Sequence, residues 1–162
     1  MTDQELQELM SNSQQVKSLL ESFAREYRPL LLSLIERQGA LRLRAWSTEM
    51  VDIIQRRILL ACADQKDEIA RRIEALFPNA LAIESEITDS VPEVCVVSQE
   101  LSRPVQLAAR LATQALVDRI CVRAYRDLAE REDFEQVRQT LISCAVLDAK
   151  AAESIEGVLA AA

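Results

Sequence analysis

The side chains that could carry out chemistry are few, because the chain contains no histidine. Histidine is the commonest general base and a usual zinc or haem ligand, so Ser–His and Cys–His nucleophile pairs are excluded. Carboxylates alone can perform acid–base work, as they do in glycosidases. The positions of Asp and Glu in the sequence instead predict that these residues lie at helix starts and on the solvent-facing sides of helices. We therefore expect no catalytic residue and interpret the protein as not being an enzyme.

The four cysteines are the remaining candidates for reactive or metal-binding groups: Cys62, Cys95, Cys121 and Cys144. No pair has CxxC spacing, and each cysteine has apolar neighbours. Because cysteine behaves as a small hydrophobe, this pattern favours buried free thiols, with two disulfides as the alternative. Phosphate-binding glycine loops and EF-hand loops do not occur in the sequence. We predict no metal site and no cofactor.

Arginine is unusually frequent, with sixteen arginines against three lysines. One interpretation is a GC-rich genome that encodes arginine on solvated faces. The other is a partner surface, because guanidinium groups persist at protein interfaces. The net charge of −7 argues against nucleic acid as the partner. The candidate interface arginines are Arg56, Arg57, Arg71 and Arg72.

Heptad spacing marks the first segment, in which apolar residues recur at alternating steps of three and four. This seam could belong to a helix that packs within its own chain. It could equally pair with a second copy or with another helical protein, with mixed charges at its rim. The candidate interface residues on the seam are Leu6, Leu9, Val16, Leu20, Phe23 and Tyr27.

The fold class follows from composition, since the chain has only two glycines and is rich in helix-forming residues. We predict an all-α, single-domain bundle of about five to seven helices over residues 1–162. Residues 1–38 form the heptad-patterned segment, with Gly39 as its end. Residues 78–103 form an acidic connector interrupted by proline. A long central helix is expected near residues 104–131.

Helix starts are predicted from residues that can cap a helix through a side-chain oxygen. Ser47 or Thr48 is expected to begin one helix, Asp64 a second and Asp148 the last. Val51, Ile54, Ile58 and Cys62 are expected to lie along one stripe of the first of these helices. The sequence has no apolar run near the ~20 residues of a membrane span. Its first residues are acidic, so a cytoplasmic protein without membrane contact is expected.

Two functional hypotheses remain open. The first is a non-enzymatic interaction module, such as an adaptor, chaperone-like protein or regulatory subunit, that acts through helix–helix association as a homodimer or with a helical partner. The second is a helical sensor or ligand-binding domain that holds a small apolar molecule or chromophore in the bundle core.

Overall fold

A computed structural model describes Ser18, residues 27–90 and residues 106–161, and there the all-α prediction is confirmed. No described helix is long and apolar enough to cross a membrane. The helices are α1 (Arg28–Ser47), α2 (Ile53–Glu74), α3 (Ala80–Ser90), α4 (Leu107–Glu130) and α5 (Glu135–Ala160).

The four long helices form a closed ring in the order α1, α2, α5, α4. Arg37 of α1 contacts Glu74 near the end of α2, whereas Arg44 contacts Asp64 nearer its start, so these helices run antiparallel. Contacts of the same kind make α2 and α5, α5 and α4, and α4 and α1 antiparallel neighbours. Helices α2 and α4 therefore point in the same direction. Helix α3, which lies between them in the sequence, packs on α1.

The ends of the helices correct the predicted caps. Helix α1 begins beside Pro29, which is tolerated in a first turn. Ser47 and Thr48 do not cap the start of a helix. Their hydroxyls donate to the carbonyls of Arg44 and Ala45 in the last turn of α1. The cap of α2 is Asp52, whose carboxylate accepts from two backbone N–H groups.

Two predicted helix starts are wrong, because the residues lie inside continuous helices. Asp64 is within α2, where it pairs with Arg44 instead of capping a helix. Asp148 lies in the middle of α5 and is fully buried. A carboxylate in the first turn and one in the interior look alike in sequence, because both interrupt an apolar stripe.

The core consists of two apolar clusters stacked along the bundle axis. One contains Leu32, Ile69 and Tyr125, and the other contains Leu43 and Leu59. Both draw on all four long helices. The predicted long helix near residues 104–131 is present as α4 and forms one of the four walls around these clusters.

Gly39 does not end the first helix, contrary to the prediction, but lies within α1. The absence of a side chain lets Lys66 and Gln114 pack close to the backbone of α1. A Cβ atom at Gly39 would lie 2.9 Å from Cδ of Lys66 and 3.3 Å from Nε2 of Gln114. Gly157 of α5, by contrast, would place a Cβ with no atom within 4 Å.

Replacing Gly39 by alanine should destabilise the protein, although alanine has the higher helix propensity. Alanine favours a helix by about 1 kcal/mol, but Lys66 is held at its far end and cannot move aside. We expect Gly39→Ala to lower the free energy of unfolding by about 1–3 kcal/mol. Gly157→Ala, the matched control, should raise it by about 0.5–1 kcal/mol. Urea denaturation measures both, and a stabilised Gly39→Ala would contradict the close approach.

Candidate functional site: a buried layer of charged side chains

Each long helix contributes one charged side chain to a layer between the two apolar clusters. The four side chains are 0–1% exposed, so water does not reach them. They are Glu36 of α1, Lys66 of α2, Asp118 of α4 and Asp148 of α5.

The ammonium of Lys66 is the centre of this layer. Its Nζ atom lies 2.8 Å from Oε2 of Glu36, 2.7 Å from Oδ1 of Asp118 and 2.9 Å from Oδ1 of Asp148. An ammonium carries three N–H groups, which matches the three carboxylates. One lysine thereby contacts a carboxylate on every other long helix of the bundle.

Neutral and cationic side chains extend the layer on two sides. Nε2 of Gln114 donates to Oδ1 of Asp118 at 2.6 Å, and its Oε1 accepts from Nε and Nη2 of the buried Arg42 at 3.1 and 3.0 Å. The hydroxyl of Tyr125 donates to Oε1 of Glu36 at 3.3 Å.

Two carboxylate oxygens in the layer have no hydrogen-bond partner among the described residues: Oδ2 of Asp118 and Oδ2 of Asp148. A buried polar atom without a partner costs free energy, and a buried charge costs more. The Lys66 ammonium therefore has a partner for each of its N–H groups, whereas two of the three acids have an oxygen without a hydrogen-bond partner.

Burial and neighbouring charges act in opposite directions on the pKa values. Burial alone would lower the pKa of Lys66, but the charges of the three carboxylates outweigh it and raise that pKa well above its usual range. Burial raises the pKa of Glu36 and Asp148 despite the nearby ammonium. Burial lowers the pKa of Arg42 to about 10, so this side chain remains a cation at neutral pH.

The layer has some donor atoms of a metal site but does not fit a metal ion. One ligand-type atom each from Glu36, Cys121 and Asp148 lies within 4.8 Å of the others. The ammonium of Lys66, however, is hydrogen-bonded to both carboxylates and would repel a second cation. Burial also raises the pKa of the Cys121 thiol, which keeps it from being a thiolate ligand. We assign no metal to this layer.

The cysteine prediction is confirmed where the structure describes these residues. Cys62, Cys121 and Cys144 are free and buried, and Cys95 lies outside the described residues. Burial raises the pKa of Cys62 to about 11 and of Cys144 to about 12.

The predicted interface residues that the structure describes do not come together in one place. Tyr27 precedes α1 and is 41% exposed. Arg56 and Arg57 lie in the first turns of α2, and Arg71 and Arg72 lie in its last turn. Five of the predicted residues lie outside the described residues: Leu6, Leu9, Val16, Leu20 and Phe23.

The four arginines have different surroundings. Arg56 donates to the carbonyls of Ser47 and Met50, which is a structural role. Arg71 and Arg72 both pair with Glu68 on their own helix. Arg57 is exposed on the surface.

Sequence reasoning missed the buried layer, although the signal was present. In α2 the inward positions 59, 62, 66, 69 and 73 follow steps of three and four, and Lys66 occupies the middle of this stripe. Asp118 and Asp148 lie in the same way on the apolar stripes of α4 and α5. A charged residue at a core position of several helices predicts that the charges meet.

Comparison of the chain with models of known families, with curated proteins and with solved structures finds no match.

Removing the ammonium tests whether it holds the layer together. Lys66→Met would leave three carboxyls buried without their shared cation, so we expect a loss of about 3–5 kcal/mol in the free energy of unfolding at neutral pH. The loss should shrink on acidification, because protonated carboxyls need no cation. Arg71→Met removes an exposed pair and should cost about 0.5 kcal/mol or less. A Lys66→Met chain as stable as the wild type would refute this account of the layer.

The buried thiols should react slowly with a thiol reagent. In a Cys95→Ser chain at pH 8, we expect Cys62, Cys121 and Cys144 to react with DTNB at least about 100-fold more slowly than in denaturant. In the folded chain these thiols are mostly protonated, and burial keeps the reagent from reaching them. Denaturant should then release three thiols. Rapid reaction of the folded chain would show that one of these cysteines is accessible.

Proposed function

We propose that the protein is a non-enzymatic helical interaction module that self-associates through helix–helix contacts. The observation that carries this proposal is a group of exposed apolar residues at the start of α2. Val51 is fully exposed, and Ile53 and Ile54 are 55% and 66% exposed. We call these three residues the apolar tip. The predicted stripe of Val51, Ile54, Ile58 and Cys62 is therefore exposed at its start and buried at Cys62.

The apolar tip is held by hydrogen bonds on both sides. Asp52, between its residues, accepts from the backbone N–H groups of Ile54 and Gln55 at 2.7 and 3.0 Å. Arg56 fixes the preceding turn through the carbonyls of Ser47 and Met50, both at 3.1 Å. A partner that binds there meets an ordered surface, which lowers the entropy lost on association.

The exposed face of α2 beyond the tip favours a second copy of the chain as the partner. Leu60 is 38% exposed and lies between Arg57 and Asp64, which are seven residues apart on that face. Two copies of α2 that pair antiparallel about Leu60 would bring each Arg57 opposite the Asp64 of the other copy, and the two apolar tips would lie at opposite ends of the contact. Asp64 also pairs with Arg44 of its own chain and is 77% exposed, so it is accessible to a second arginine. A two-fold interface requires such self-complementarity.

The predicted seam of residues 6–27 is a second element for the same kind of contact. Because its heptad spacing suits a helix pair, we propose that it contributes to the same homodimer, or that it recruits another helical protein. A regulatory or adaptor role in the cytoplasm belongs to this proposal.

The alternative function, a small apolar ligand in the bundle core, has no observation in its favour. Lys66 and Gln114 are buried between the apolar clusters, where such a ligand would lie against α4.

Self-association can be measured by size exclusion coupled to light scattering. At about 50 μM we expect a wild-type dimer, and Ile54→Glu should give a monomer with an unchanged circular dichroism spectrum, since a buried unpaired charge opposes association. Val146→Glu is the matched control, because Val146 is 60% exposed on α5 away from the tip. That variant should remain a dimer. A wild-type monomer at this concentration would overturn the homodimer, and dissociation by both variants would remove the apolar tip as its cause.

A further inference from the structure

The buried layer has more acids than its cations neutralise. Three carboxyls face the Lys66 ammonium, and Arg42 supplies a second cation through Gln114. If all three carboxyls were ionised, one negative charge would remain in a region without access to water. Such a charge is strongly unfavourable, and a buried acid usually avoids it by binding a proton.

The hydrogen bonds distinguish the three acids. Asp118 accepts from Gln114 and lies beside the ammonium of Lys66, so its Oδ1 atom has two donors, although its Oδ2 atom also has no partner among the described residues. Glu36 accepts from Lys66 and Tyr125. Asp148 accepts from Lys66 alone, and its Oδ2 atom has no partner among the described residues. The anion of Asp148 is therefore the least stabilised of the three.

We propose that this layer is a proton-binding site in which Asp148 holds one proton on Oδ2 at neutral pH. With this proton the layer carries two cations and two anions and is neutral. Burial and the charge of Glu36 raise the pKa of Asp148, which agrees with a proton held on this group. The inference concerns the interior of the bundle and does not depend on the proposed homodimer.

Groups on all four long helices face this site, and each bears on the proton. The cations favour release of the proton, the anions of α1 and α4 favour its retention, and the raised pKa values of Cys121 and Tyr125 keep these groups neutral. The titratable groups are Glu36 and Arg42 on α1, Cys62 and Lys66 on α2, Asp118, Cys121 and Tyr125 on α4, and Cys144 on α5.

A proton held only by the folded chain makes stability depend on pH. In the unfolded chain Asp148 loses its proton above its ordinary pKa of 3.8. The folded chain keeps the proton until the pH reaches the raised pKa. Between these values the folded state binds one proton more, so the folding equilibrium constant contributed by this group should fall about tenfold per pH unit as pH rises.

The test compares stability against pH for the wild type and two variants by urea denaturation. Asp148→Asn keeps Oδ1 as an acceptor for Lys66 and is neutral at every pH. Its folding constant should lack the roughly tenfold fall per pH unit that the wild type shows. Asp127→Asn removes an exposed carboxyl of α4 and should keep the wild-type slope. Equal slopes for the wild type and Asp148→Asn would overturn the proposal.

A direct measurement on the wild-type chain decides the matter even if Asp148→Asn does not fold. The carbon-13 shift of each side-chain carboxyl reports whether that group is protonated. We expect Asp148 to have the shift of a neutral acid at pH 7 and Glu36 to have the shift of a carboxylate. An ionised Asp148 at pH 7, or a proton on one of the other two acids instead, would refute the assignment.

Discussion

The contact of one ammonium with three carboxyl groups is the constraint on which the arrangement of the four helices depends. Apolar side chains attract one another without a preferred direction, so the two clusters alone would tolerate a helix that slides or rotates. Lys66 requires Glu36, Asp118 and Asp148 within 2.9 Å of a single nitrogen atom. A shift of one turn along any helix, about 5.4 Å, would leave a buried charge without its partner.

This constraint also explains which small residues the interior needs. A lysine side chain that crosses the bundle has to pass the backbone of α1, and the close approach at Gly39 gives it that room. The desolvation of four ionisable groups opposes folding, so the layer contributes specificity of register more than stability. The apolar clusters on either side provide the favourable free energy.

The sequence predicted the helical fold, the α4 helix and the buried thiols because these depend on composition and on apolar spacing. Helix boundaries failed where a residue had a tertiary role instead of a local one. Gly39 looked like a helix end and Asp148 like a cap, since each has that local preference. Their actual partner is Lys66, which is 27 residues from one and 82 from the other along the chain. Local spacing carries no information about that contact. Ile54 is exposed although it shares a stripe with the buried Cys62, because apolar spacing does not report which end of a stripe the other helices cover.

Helix α2 connects the two features that the function could use. The apolar tip begins this helix, and Lys66 lies 12 residues beyond Ile54, about 18 Å along the axis. Because Lys66 is tied to the other three long helices, the tip is presented in a fixed position relative to all of them. Any event at the tip that moved α2 along its axis would have to break the contacts of Lys66. In the proposed homodimer, the bundle would therefore associate as a rigid body. Such an interface loses less entropy on association, because the contacts of Lys66 already order α2.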